Sequence, residues 1–317
     1  MSSASIGAGA SIGAGASIEA GASTGARPRA FVIGHPIGHS RSPLIHRHWL
    51  AARGASGVYE AIDVAPADLS AWLDALDPAQ WAGGNVTAPH KEAVRAWLGP
   101  RVDDDARAIG AVNTLWRDPD GWRGGCTDGT GFLANLDDRA PGWRDAGTAL
   151  VIGAGGAARA VVHALKGAGL AVTLANRTLA RAERLAAEFG LAAAVPLGGV
   201  ADAVRGSGLI VNAATLGMAG AGGAARHPDA PNSDMPHAEA PHLDPAVLAR
   251  APDGAVAADI VYVPLRTPFL AAADRAGLAT VDGLGMLLHQ AVPGHARWFG
   301  VPPAVTPALR AAVEATL

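Results

Sequence analysis

The chain has 317 residues, half of them apolar, with 17% charged residues and a formal net charge of -3 at pH 7. That length and apolar content suffice for two modest cores, while the near-neutral balance offers no basic field to a nucleic acid or an anionic membrane, so a small-molecule partner is expected. The single cysteine, Cys126, excludes an internal disulfide, and no cysteine and histidine spacing suggests a metal site, which fits a reducing cytoplasm.

In chain order, Ser5 to Ala22 repeats SIGAGA, SIGAGA, SIEAGA. Glycine and alanine supply too little apolar area to offset chain entropy, so residues 1–28 are expected to form a disordered tail. No stretch approaches the ~20 uninterrupted apolar residues of a membrane span. From Phe31 onward, short apolar runs alternate with alanine-rich helical patterns, the sequence form of parallel α/β architecture.

The run Gly34 to His46 places Ser40 and Ser42 before a helix whose first residue is expected to be Pro43. Ser42 is a good N-cap by itself, whereas Ser40 has no local duty; two hydroxyls beside a helix N-terminus suit a carboxylate. In Asn85-Val-Thr87-Ala-Pro89-His-Lys91-Glu92 the chain leaves a strand and enters a helix with Lys91 in its first turn. The helix dipole there opposes the ammonium and lowers its pKa, which suits a proton donor and acceptor better than it suits stability. A hairpin is expected next, with strands Thr114 to Arg117 and Trp122 to Gly125, and a first domain ending near Asp128. As an N-cap Asp128 needs no further reason; facing Lys91 across a cleft, it would hold the ammonium and offset the dipole.

The clearest βαβ unit follows: strand Ala149 to Ile152, turn Gly153 to Gly156, helix Ala157 to Lys166, strand Ala171 to Ala175. A glycine turn at this position lets backbone N–H groups approach a pyrophosphate. An NAD site would place an acidic residue after the second strand; here stand Asn176, Arg177 and Thr178, with Arg181 one helical turn later, a set that favours the 2'-phosphate of NADP. Further strands are expected at Leu209 to Asn212 and Ala257 to Tyr262, the second followed by Thr267 and Pro268 as helix cap and first turn, and a helix is expected from near Leu284. Residues 219–242 lack periodicity and read as a long surface loop; its His227, His237 and His242 have no carboxylate or thiolate spacing for a closed metal site.

Together and in order, GHSRSP, NVTAPHKE, IGAVNT, TDGTGF, GAGGAAR, NRTLAR, DIVYVPLRTP and DGLGMLLHQ resemble the shikimate dehydrogenase family from about Phe31 to the C-terminus. The resemblance implies a two-domain α/β protein: a discontinuous substrate domain of residues 29–128 with 284–317, a Rossmann-type NADP domain of residues 129–283, and the active site in the cleft between them. It implies reversible reduction of 3-dehydroshikimate to shikimate with NADPH, with Lys91 as acid/base and Asp128 as its partner. Ser40, Ser42, Thr87, Asn113, Tyr262 and Gln290 would hold the substrate with that pair. Gly153, Ala154, Gly155, Gly156 and Ala157 would face the pyrophosphate, Asn176 to Arg181 the adenosine phosphate, and Ile260 and Gly283 the nicotinamide. Asp104 matches a weaker acidic position, where a solvated helix face is the competing role. A homodimer is left open, and neither nucleic acid nor membrane is implied. The chain departs from the family pattern at Cys126 (usually Asn), His90 (commonly Phe), Ala214 (commonly Thr) and Val263 (often Asn). Cys126 and His90 flank the reactive pair and bear on substrate preference; a quinate/shikimate dehydrogenase and a catalytically silent shikimate-binding regulator are the alternatives.

Overall fold

The computed structural model describes residues 27–214 and 244–317. The expected tail lies outside them apart from its last two residues, and the 219–242 loop with its three histidines lies outside them entirely.

The first half of the chain builds β1 (Arg29–Gly34), α1 (Ser42–Ala52), β2 (Val58–Asp63), α2 (Leu69–Asp74), β3 (Gly83–Val86), α3 (Lys91–Leu98), α4 (Asp104–Ile109), β4 (Thr114–Asp118), β5 (Gly121–Gly125) and α5 (Asp128–Arg139). Its sheet runs β2-β1-β3-β4-β5, with β1, β2 and β3 parallel and the expected hairpin β4-β5 antiparallel. Alternate residues of β1 serve two cores. Phe31 and Ile33 pack with Val94, Leu98, Ile109 and Leu115, and Ala30 and Val32 with Tyr59 and Trp298. Each large apolar side chain so buried contributes roughly 1.5–3 kcal/mol.

The second half adds β6 (Thr148–Ile152), α6 (Gly156–Gly167), β7 (Ala171–Asn176), α7 (Leu179–Phe189), β8 (Ala193–Pro196), α8 (Val200–Ala203), β9 (Leu209–Asn212), α9 (Pro245–Leu248), β10 (Val256–Asp259), α10 (Pro268–Arg275) and β11 (Ala279–Val281). They form an all-parallel sheet in the order β11-β10-β9-β6-β7-β8. Its central strands are largely apolar because both faces of the sheet are covered: Ala149 and Val151 meet Phe132, Leu136, Val161 and Leu165, while Leu150 and Ile152 meet Phe269 and Leu270. Between β6 and β9 the strand order reverses, the place where such sheets open a crevice at their carboxyl ends.

The chain then returns through α11 (Leu284–Phe299) and α12 (Pro307–Glu314). Leu284, Leu288 and Ala291 of α11 pack with Ile45 and Trp49 of α1 and with Leu309 and Val313 of α12, and the Trp298 indole N–H donates to the Leu115 carbonyl at 2.9 Å. Against α5 the approach is so close that a Cβ on Gly131 would lie 2.6 Å from the Gln290 Cβ. Thus α5 and α11, side by side, connect the two sheets.

Two helix starts differ from expectation by one residue. Arg41 (φ -90°, ψ -7°) and Thr127 (φ -95°, ψ 1°) already lie near helical geometry, so Ser42 and Asp128 are first helical residues rather than caps. It is Ser40 that has the local duty, its Oγ accepting from the Ser42 N–H at 3.3 Å. The strand expected to reach Tyr262 ends at Asp259, whose carboxylate takes the Val261 N–H at 2.9 Å and turns the chain.

Candidate active site

At the exit of β3 the His90 imidazole is buried and its Nε2 lies 2.7 Å from the Val64 carbonyl, which can only accept; the ring therefore donates and anchors the turn that presents Lys91. Lys91 Nζ donates to Asp128 Oδ2 at 2.6 Å, with about a third of the lysine side chain exposed and the aspartate nearly covered. The other carboxylate oxygen, Oδ1, accepts from Asn113 Nδ2 at 2.7 Å. The orientation of that amide is unambiguous, because its Oδ1 accepts the Thr127 backbone N–H at 2.9 Å, leaving Nδ2 for Asp128 and, at 3.2 Å, for Gln290 Oε1. Thr127 closes the ring by donating its hydroxyl to the Gln290 carbonyl at 2.8 Å.

Burial pulls the Lys91 ammonium down, but the adjacent Asp128 carboxylate outweighs it, and Lys91 stands above the ordinary lysine range. Asp128 thus stands where it can offset the depression expected from the helix dipole, in direct contact with the ammonium. Cys126 lies 3.8 Å from Asp128 Oδ2, and burial, reinforced by that charge, pushes its thiol up to about 12, so it stays neutral.

Of the other expected substrate groups, Gln290 joins this network directly through Asn113. Ser42 is buried at the start of α1, Thr87 leaves β3 against Gly34 with its N–H on the Ile33 carbonyl at 2.9 Å, and Gln290 is buried on α11. Tyr262 is partly buried against the cluster that holds Ile45, Leu284 and Leu288, and burial raises its phenol while the nearby Arg41 charge opposes the shift. Two contributors carry no role in the sequence reading: Thr127, and the buried Asn85, which donates to the Asn113 carbonyl at 3.1 Å and accepts from the Tyr59 hydroxyl at 2.6 Å. Asn85 stands inside the NVTAPHKE run, the one signal that pointed to it.

On the other sheet, Gly153 follows β6 at φ +116°, and a Cβ there would lie 2.9 Å from the Ala213 carbonyl, so only glycine fits. No side chain caps α6, whose first N–H groups are left for a ligand, and a Cβ at Gly155 or Gly156 would meet open space. Arg177 and Arg181 are exposed beyond the end of β7, and Asn176 donates to the Thr178 carbonyl at 2.9 Å to shape that turn. An uncapped helix, an open glycine turn and two arginines beyond it fit a dinucleotide bearing a 2'-phosphate. Arg159, inside the glycine motif, is engaged by the Ile109 carbonyl and Glu188. Ile260 and Gly283 lie together, with the Gly283 N–H on the Val261 carbonyl at 3.2 Å. Asp104 is almost fully exposed and pairs with Arg107, a solvated helix start. Among the described residues no cluster of three or more metal-ligating side chains occurs.

A parallel sheet with an uncapped glycine turn at its switch point, joined to a second α/β unit carrying an ammonium–carboxylate pair, defines a nicotinamide-linked oxidoreductase. The chain belongs to the shikimate dehydrogenase family. A model of the shikimate dehydrogenase substrate binding domain matches residues 32–115, and one of shikimate / quinate 5-dehydrogenase matches residues 139–216. The NADP(+) shikimate dehydrogenase of Mesorhizobium japonicum is 53% identical over 296 residues, covering 92% of this chain and 98% of that protein. Shikimate 5-dehydrogenase from Thermus thermophilus, solved with NADP(H) and shikimate, is similar at a TM-score of 0.73 and 37% identity, covering 92% of this chain and 100% of that one. Quinate dehydrogenase from Corynebacterium glutamicum, solved with NAD, is similar at 0.75 and 30%, covering 92% and 99%.

Proposed function

We propose that this chain reduces 3-dehydroshikimate to shikimate with NADPH, reversibly, as a step of aromatic amino-acid biosynthesis. The observation that carries the reading is the Lys91–Asp128 contact of 2.6 Å, braced on its far side by Asn113. When bound, the reduced nicotinamide supplies a hydride to the ketone carbon. Lys91 stabilises the negative charge that develops on the carbonyl oxygen and gives it a proton, and the Asp128 charge keeps the ammonium protonated until then. In the oxidative direction neutral Lys91 takes the hydroxyl proton back. Asp128 and Asn113 also face the substrate, while Ser40, Ser42, Thr87, Tyr262 and Gln290 hold its carboxylate and hydroxyls. Gly153 to Ala157 receive the pyrophosphate, Asn176 to Arg181 the 2'-phosphate, and Ile260 and Gly283 the nicotinamide side.

By this reading residues 29–128 with 284–317 form the substrate unit and 129–283 the cofactor unit; support comes from α11, which returns to pack on α1, β3 and β4. The enzyme works in the cytoplasm and is compatible with a homodimer; no helix among the described residues is long and apolar enough to cross a membrane. The test is a spectrophotometric assay of purified protein with shikimate or quinate against NADP and NAD. The reading expects the highest kcat/KM for shikimate with NADP, and preference for quinate with NAD would overturn it.

A further inference from the structure

Asp259, at the carboxyl end of β10, is 1% exposed and faces no cation among its hydrogen-bond partners. Oδ1 accepts the Val261 N–H at 2.9 Å, Oδ2 accepts the Thr267 hydroxyl at 2.6 Å, and Asn212 Nδ2 lies 3.1 Å from both. Each donor is fixed in direction. Thr267 Oγ1 already accepts the Leu270 N–H at 3.2 Å, so its hydrogen goes to Asp259; Asn212 Oδ1 accepts the Ala214 N–H at 3.3 Å, so its NH2 faces Asp259.

Through these bonds one carboxylate joins three segments. Asn212 leads to Ala213 and Ala214, the backbone against which Gly153 has no room for a Cβ. Val261 carries the neighbours Ile260 and Tyr262 and accepts the Gly283 N–H. Thr267 is the cap of α10. The sheet order places β9 and β10 on the opposite side of β6 from β7. With the pyrophosphate at the β6 turn and the 2'-phosphate at Arg177 after β7, the other half of the dinucleotide falls over the ends of β9 and β10.

We propose that Asp259 is a positioning residue for the nicotinamide half of the cofactor, fastening the Asn212–Ala214 and Ile260–Tyr262 segments and the start of α10 into one floor. The assignment rests on the cofactor reading above. Asp259→Asn keeps the size of the side chain, yet however it turns, one amide hydrogen faces another donor, and the floor loosens.

The experiment is calorimetric titration of the full chain, wild type and Asp259→Asn, with NADP+ and with adenosine 2',5'-bisphosphate, which has the 2'-phosphate but no nicotinamide. Loss of one hydrogen bond to a buried charge predicts NADP+ binding weakened roughly tenfold or more, with the bisphosphate held within about twofold. Thr267→Val, which keeps the carboxylate and removes one donor, should show the same pattern at a similar magnitude, and serves if the first variant does not fold. Equal weakening of both ligands, or of neither, overturns the assignment. If the wild type itself fails to bind NADP+, the cofactor reading falls and takes the assignment with it.

Discussion

Replacing Asp128 with asparagine keeps the shape of the side chain and removes its charge. The carboxylate now receives Lys91 on one oxygen at 2.6 Å and Asn113 on the other at 2.7 Å. Because the Asn113 amide is locked by the Thr127 N–H, the new amide can offer its oxygen to only one of the two donors and sets its own NH2 against the other. One hydrogen bond to a charged group contributes about 1.5–3 kcal/mol, so positioning lost on that scale lowers kcat about 10- to 150-fold. The pH profile moves as well. Since the Asp128 charge is what keeps Lys91 above its ordinary range against burial, the variant's ammonium deprotonates earlier and the alkaline limb of ketone reduction shifts to lower pH. Initial rates of NADPH consumption across pH measure both effects. Wild-type kcat with an unmoved limb would refute the coupling.

Arg177→Ala should weaken NADPH roughly tenfold or more while NADH changes little, as loss of a charge-assisted phosphate contact requires; equal losses measured by titration would move the 2'-phosphate site elsewhere. The buried His46 and His295 rings face each other with Nδ1 atoms 3.0 Å apart. Burial lowers both pKa values, that of His295 to about 4, so each ring binds its proton more weakly in the fold than in the unfolded chain. Stability is therefore full above the unfolded value near 6.5 and falls as pH drops toward 4. Thermal melts should show that decline, and His295→Gln should flatten it; an unchanged pH dependence would remove the pair as its cause.

Much of this was legible in the sequence because it is local. The βαβ unit around Gly153, the β4-β5 hairpin and the Thr267-Pro268 helix start follow from periodicity, turn chemistry and capping within a few residues. The helix starts at Ser42 and Asp128 were displaced by one residue because a serine or aspartate that can cap does not have to, and the φ/ψ of Arg41 and Thr127 decided the matter. Bonds spanning long separations could not be read at all: Asn113 reaches Gln290 across 177 positions, and Asn85 meets Tyr59 across 26. Asp259 was hidden for a related reason. Within an apolar strand it looked like one more residue before Tyr262, and only the sheet order brings Asn212 beside it.

The most direct test of the account is kcat for Lys91→Ala with NADPH affinity measured in parallel. Loss of the group that stabilises and protonates the forming alkoxide predicts kcat lower by about 100-fold or more with cofactor binding retained. Turnover equal to wild type would show that the proton comes from another group and contradict the central claim.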